Sequence, residues 1–321
     1  MKQTRMTQNT MRSAAAVLAI AGFLLFAMAG PLWGATPTAG GGETPAAGDC
    51  PPNDPCDRDH MMGKTDTLKQ LQAKLNNPLS SLWSLQLQQN FQWNKGSNSG
   101  SSYRPVYKTI FQPAMPVPLT ENITWISRPI FSFLSTPTFD GDWDRTAGIA
   151  GFTYETWFTP TKPHKVQVAL GGVFSMPMNS RDEMSSRKYS LGPSAVVVYK
   201  HEDWIFGGLA NWLWSVSGTD NREDVNEMSL QYFITWAGLP NHWQINSSPT
   251  ITYNRKAKGG DAWSVPIGIG LGKMVKLGKL PVKIQLEYDY YVAHANSFGP
   301  RHLLNLKITP VIPALIKKPL F

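Results

Sequence analysis

Long hydrophobic runs are missing from almost the whole of this sequence. After residue 30 no stretch approaches the roughly 18 consecutive apolar residues that a membrane-spanning helix requires. If this part of the chain crosses a bilayer, it must do so as strands closed into a barrel, where every backbone group is paired. Cysteine is nearly absent: Cys50 and Cys56 are the only two in 321 residues, too few for a disulfide-built scaffold. Charge is sparse, at 16% of residues, and the balance of 30 basic against 22 acidic side chains is a mild surplus. That surplus is not the concentrated basic footprint of a nucleic-acid binder.

What is abundant points to β structure. The chain has 27 Gly, 25 Pro, 14 Phe, 10 Tyr and 12 Trp, a composition that suits a turn-rich strand protein better than a helical one. The stretch "LPVKIQLEYDYYVA" (280–293) shows the pattern most cleanly. Val282, Ile284, Leu286, Tyr288, Tyr290 and Val292 fall on one face, and Lys283, Gln285, Glu287 and Asp289 on the other. A period of two over this length is a strand with one apolar and one polar face. In a soluble sandwich the apolar face would be inside; in a transmembrane barrel it would meet lipid and the polar face would line the lumen.

The remaining sequence favours the inverted arrangement. Lys2, Arg5 and Arg12 precede the apolar segment "AAAVLAIAGFLLFAMAG", and Ala27-Met28-Ala29 supplies small residues for cleavage after Ala29. This reads as a bacterial secretory signal over residues 1–29. Those three cations account for three of the net eight positive charges. Residues 30–79 form an expected flexible periplasmic extension with one short amphipathic helix over 65–77, and Cys50 and Cys56 are spaced for a small disulfide loop.

From residue 80 to 313 twelve strand candidates follow: 80–93, 103–118, 122–134, 148–159, 164–176, 190–200, 204–217, 224–238, 242–254, 263–277, 280–293 and 301–312. Their connections alternate long and short, as between the external and periplasmic ends of an outer-membrane barrel. A sandwich has no reason to alternate so regularly, since both its ends face the same solvent. Trp83, Trp93, Trp125, Trp157, Trp204, Trp214, Trp236, Trp243 and Trp263 lie near strand ends, where interfacial girdles would sit. The fold class is therefore all-β, an antiparallel transmembrane barrel of about twelve strands, with residues 314–321 as a C-terminal tail. Strand 190–200, "LGPSAVVVYK", is apolar on both faces, and periodicity alone does not assign its sides.

The stretches "NPLSSLWSLQLQQNFQW", "QPAMPVPLTENITWISRPI", "LGPSAVVVYKHEDWIFGGLANWLWSVSGTDNREDVNEMSLQYFITW" and "WSVPIGIGLGKMVKLGKLPV" resemble a family of Gram-negative outer-membrane proteins named for the meta pathway of phenol degradation. The resemblance runs from about Asn77 to Pro313. It implies an outer-membrane barrel, loosely implies transport, and suggests small aromatic or hydrophobic solutes.

Candidate chemistry is thin. His242 with Ser247 or Ser248 is the nearest approach to a nucleophile and base, as a lipid-modifying outer-membrane enzyme would need, but His242 falls in a short turn. Asp140, Asp142 and Asp144 in "DGDWD" have the spacing that opens a calcium loop, yet Arg145 and Gly151 stand where Gly and Glu are needed, so only a weak divalent site is expected. "GIGLGK" (268–273) fits no nucleotide motif; Gly268, Gly270 and Gly272 instead keep one inward stripe small. No cofactor is implied.

The polar set expected to face inward is Arg104, Lys108, Gln112, Arg128, Glu155, Lys283, Glu287, Asp289 and Lys307. It suits a selectivity-setting channel lining or, alternatively, a salt-bridged filling of a closed structural barrel. The expected partners are outer-membrane lipid and lipopolysaccharide, the barrel assembly machinery during insertion, and a small-molecule solute. Nucleic acid is not among them.

Overall fold

The computed structural model describes residues 68–321, apart from 101, 139–143, 163, 182, 183, 185 and 317. The secretory segment with its cleavage position, and Cys50 and Cys56, lie outside the described residues, as do Asp140 and Asp142. One short helix, α1 (Leu68–Leu75), precedes the strands β1 (Trp83–Lys95), β2 (Arg104–Pro118), β3 (Ile123–Pro137), β4 (Arg145–Pro160), β5 (Val166–Asn179), β6 (Lys188–His201) and β7 (Trp204–Gly218). Then follow β8 (Asn226–Trp236), β9 (Trp243–Ser247), β10 (Thr250–Asn254), β11 (Trp263–Leu277), β12 (Leu280–Ala293) and β13 (Gly299–Ile312).

Every neighbouring pair is antiparallel, and β13 pairs back onto β1 from Trp83↔Ile312 to Lys95↔Gly299, so the sheet closes without an edge. Closure removes the unpaired backbone that lipid would not tolerate. The thirteen strands make twelve staves, because β9 and β10 together occupy the single place between β8 and β11. Their register is continuous across the interruption: Ile234↔Ser247 on one side and Gln231↔Thr250 on the other follow the same diagonal. The sequence reads this stave as one strand. It breaks at Ser248-Pro249 because proline has no N–H for the ladder.

The facing is inverted relative to a soluble sheet. On β12, Ile284, Leu286, Tyr288 and Val292 are exposed, whereas Lys283, Gln285, Glu287 and Asp289 are buried. Leu170, Ile269 and Leu271, each more than half exposed, continue the apolar outer belt on β5 and β11. Strand β6 now has definite sides: Tyr189, Leu191, Val197 and Tyr199 point out, and Ser190, Ser194, Val196 and Val198 point in. Both faces are apolar near its C-terminal end because the lumen there holds a hydrophobic cluster. Leu79, Ile126, Trp157, Ala169, Val196, Val198, Ile205, Leu209 and Phe233 pack together inside the barrel.

That cluster corrects the aromatic reading. Trp157 is no girdle residue: it shares the inward face of β4 with Glu155 and is 1% exposed. Trp83 is also buried and donates its indole N–H to the Pro116 carbonyl at 2.8 Å. Trp93, Trp204, Trp243 and Trp263 do face outward near strand ends. The connections at one end, 96–103, 138–144, 180–187, 219–225, 255–262 and 294–298, are mostly longer than those at the other, 119–122, 161–165, 202–203, 237–242 and 278–279. The contrast is smaller than the sequence suggests because strands such as β3 and β5 run further into the loops.

Candidate functional site

At the short-turn end α1 and the segment that leads from it into β1 pack as a plug against the inner wall of the lumen. Gln72 of α1 is 1% exposed; its amide donates to the His242 carbonyl at 3.1 Å and to Gln244 Oε1 at 3.0 Å. Asn76 and Gln244 exchange amide hydrogen bonds of 2.8 and 3.1 Å, and Lys283 Nζ donates to Asn76 Oδ1 at 3.1 Å. Asn77 donates to Gln167 Oε1 at 2.7 Å, and Leu79 sits in the apolar cluster. A short helix has little stability of its own; this one is held by inward polar residues of β5, β9 and β12. The C-terminal tail also returns to this end, where the Phe321 amide donates to the Leu119 carbonyl at 3.0 Å.

Above the plug, two polar networks brace opposite walls. On β3 and β4, Arg128 Nε donates to Glu155 Oε2 at 2.7 Å, its second nitrogen makes an ion pair with the same carboxylate, and its guanidinium lies 5.0 Å from the Trp157 ring centre. Asn211 Nδ2 donates to the other Glu155 oxygen at 2.7 Å, while Ser194 Oγ links Asn211 to the Trp157 indole. Glu155 is thus fully engaged, as a buried carboxylate must be.

The second network surrounds Glu287, which is 1% exposed. Its carboxylate accepts from Asn246 Nδ2 at 2.9 Å, Ser248 Oγ at 2.6 Å, Gln285 Nε2 at 3.1 Å and the Ser248 backbone N–H. Lys307 Nζ stands 3.6 Å from Glu287 and donates to Ser248 Oγ at 2.9 Å. Here the broken stave has a clear local use. By leaving the ladder at Ser248-Pro249, the chain turns the Ser248 amide inward onto the carboxylate, while the Ser248 carbonyl accepts from Gln231 at 3.1 Å. The Ser248 hydroxyl is therefore committed to Glu287 and Lys307.

Of the other inward residues, Arg104, Lys108 and Asp289 lie closer to the long-loop end, and Gln112 sits at mid-strand. Arg104, Lys108 and Gln112 share the inward row of β2, opposite Asn94, Asn90 and Gln86 of β1. Lys108 interacts electrostatically with Glu227 of β8. Asp289 lies beside Gly268 of β11, and a Cβ at that glycine would overlap its carboxylate. Cβ atoms at Gly270 and Gly272 would likewise crowd Asn246 and Gln244, so the glycine stripe makes room for the lumenal side chains. The Asp144 backbone carbonyl accepts from the Thr138 amide at 2.7 Å and from its hydroxyl at 2.9 Å.

A cavity of about 150 Å³ opens between the plug and the two networks. Arg128, Lys283 and Lys307 are the charged residues in its wall, and Trp157, Phe233, Leu209 and Ile126 give it an apolar side. Gln244, Asn246 and Ser248 fall on the polar face that period two gives their stave but were outside the expected lining set, and sequence reasoning missed Glu227 and Asn76. Glu227 was within reach, since it continues the row of Ser229 and Gln231; the role of Ser248 depends on a strand break that period-two reading passes over.

No protein-family model matches the chain, and no curated protein matches it. Among solved structures, the chain is similar to an outer-membrane channel from Pseudomonas putida F1, with a TM-score of 0.55 and 15% identity over 73% of this chain and 97% of that one. It is also similar to the NanC porin, with a TM-score of 0.47 and 12% identity over 71% and 99%. Likeness at this level of identity concerns architecture, and the first of the two agrees with the closed barrel: this chain has the fold of an outer-membrane β-barrel.

Proposed function

We propose that the protein is a passive channel for small molecules in the outer membrane of a Gram-negative bacterium, exported by its secretory segment. The observation that carries this reading is the lumen itself. A barrel with an apolar outer belt keeps three cations and two carboxylates on its inner wall around a cavity, and much of that wall is amide and hydroxyl rather than hydrocarbon. Charges in a narrow lumen with low-dielectric walls focus their field on whatever passes. Gln112, Arg128, Glu155, Lys283, Glu287, Asp289 and Lys307 are the selectivity lining in this account, with Arg104 and Lys108 nearer the outer mouth. The likeness to a Pseudomonas putida outer-membrane channel and the sequence resemblance to the meta-pathway family both support transport, and the family resemblance extends the solute range to small aromatic compounds.

The test is solute flux. Liposomes reconstituted with the barrel should swell in isotonic solutions of small solutes faster than protein-free liposomes. Equal rates with correctly assembled barrel would favour the alternative, a closed structural barrel.

A further inference from the structure

Charges in the lumenal cavity do not balance. Arg128 is neutralised by Glu155 and Lys307 by Glu287. Lys283 is 9% exposed, and its ammonium has only a neutral acceptor, Asn76 Oδ1 at 3.1 Å; among the described residues no carboxylate lies within 4.0 Å of it. A buried cation satisfied by one amide oxygen is under-coordinated, since an ammonium has three donors. The residue directly across the ladder on β13 is Thr309. It lines the same cavity, is 4% exposed, and its hydroxyl has no hydrogen-bond partner. Two adjacent buried residues with donors to spare, one of them charged, therefore belong to the wall of a single space.

The rest of that space is not built for a bare ion. Trp157, Phe233 and Leu209 supply an apolar wall, and about 150 Å³ is the scale of cavity that accommodates a benzene ring. We infer that this cavity is a binding site for a small monoanion with an apolar body, a single-ring or comparably sized carboxylate, held by Lys283 and Thr309 with its hydrocarbon part against Trp157 and Phe233. This deepens the channel reading and rests on it, for it makes the site a solute station directly above the plug. Recognition follows from ordinary chemistry: a carboxylate accepts charge-assisted hydrogen bonds from the ammonium and the hydroxyl, and the ring replaces water on the apolar wall.

The experiment is calorimetric titration of the purified full-length mature barrel, in an uncharged detergent, with benzoate, benzyl alcohol and acetate. Benzoate should bind at least about tenfold more tightly than either control, since one lacks the charge and the other the ring. Lys283→Met should weaken benzoate by at least about tenfold and leave benzyl alcohol unchanged, whereas Lys283→Arg should retain benzoate. Equal binding of benzoate and benzyl alcohol, no binding of benzoate, or unchanged benzoate binding in Lys283→Met would overturn the inference. Potassium chloride conductance of the same preparation separates the two failures: a conducting barrel that ignores benzoate removes the site and leaves the channel.

Discussion

Replacing Gln244 with alanine should loosen the plug without disturbing the barrel. Gln244 is fully buried and joins α1 to the wall through three amide bonds: from Gln72 at 3.0 Å, from Asn76 at 2.8 Å, and to Asn76 at 3.1 Å. After truncation Gln72 keeps the His242 carbonyl, and Asn76 Oδ1 keeps Lys283, but Asn76 Nδ2 is stranded as a buried donor. A lost hydrogen bond costs about 1 kcal/mol and an orphaned buried donor about 1–3 kcal/mol. The expected loss is then about 2–3 kcal/mol, a rise of about 30- to 150-fold in the population with α1 released. The Asn76 and Asn77 amides, which close the helix onto Gln72 and Lys74, report on that population through hydrogen exchange measured by mass spectrometry. Their exchange should accelerate by about that factor while the amides of β12 and β13 stay protected. Exchange within about threefold of the parent would show that Leu79 and its apolar neighbours hold the plug and that the amide network does not.

Three further outcomes follow from the same geometry. Glu287→Gln leaves Lys307 without the carboxylate 3.6 Å away, so reversal potentials across a salt gradient should shift toward anion preference; an unchanged potential would remove Glu287 from the selectivity lining. Leu286→Arg, at an outward position near the centre of β12, should cost about 2–4 kcal/mol of assembly free energy in lipid, read by urea titration of vesicle-folded protein, and full tolerance would mean the faces of the strand are reversed. In the loops, the Ser297 amide donates to Asp261 and holds its carboxyl below the ordinary range. That contact is present above the ordinary carboxylate pKa of about 4 and is lost as pH falls through the depressed folded value. The Ser297 amide resonance should therefore titrate below the ordinary carboxylate range, and Asp261→Asn should abolish the transition.

Strand positions were legible because one face of each stave meets lipid and the other a polar lumen, which imprints period two on segments such as 226–236 and 280–293. Alternation of loop lengths supplied the topology. What sequence could not show is where the lumen stops being polar. Trp157 and Val196 alternate with outward neighbours as any strand residues do, but the lumen around them is apolar because Leu79 follows α1 into the barrel, and a contact between residues so distant in the chain leaves no local periodicity. The ion pairs were equally hidden: Arg128↔Glu155 is a cross-strand pair that register reveals, whereas Lys307 meets Glu287 at the site where Ser248 leaves the ladder. Lys283 was recognisable as inward, but its bond to Asn76 depends on where the segment after α1 lies.

Single-channel recording tests the central claim most directly. The mature full-length protein, first shown to migrate differently on gels with and without boiling, is inserted into a planar bilayer in potassium chloride. Discrete conductance steps, with larger or longer openings in Gln244→Ala, are the expected result of a water path gated by α1. An assembled barrel that inserts yet passes no current, in the parent and in Gln244→Ala alike, would contradict the account.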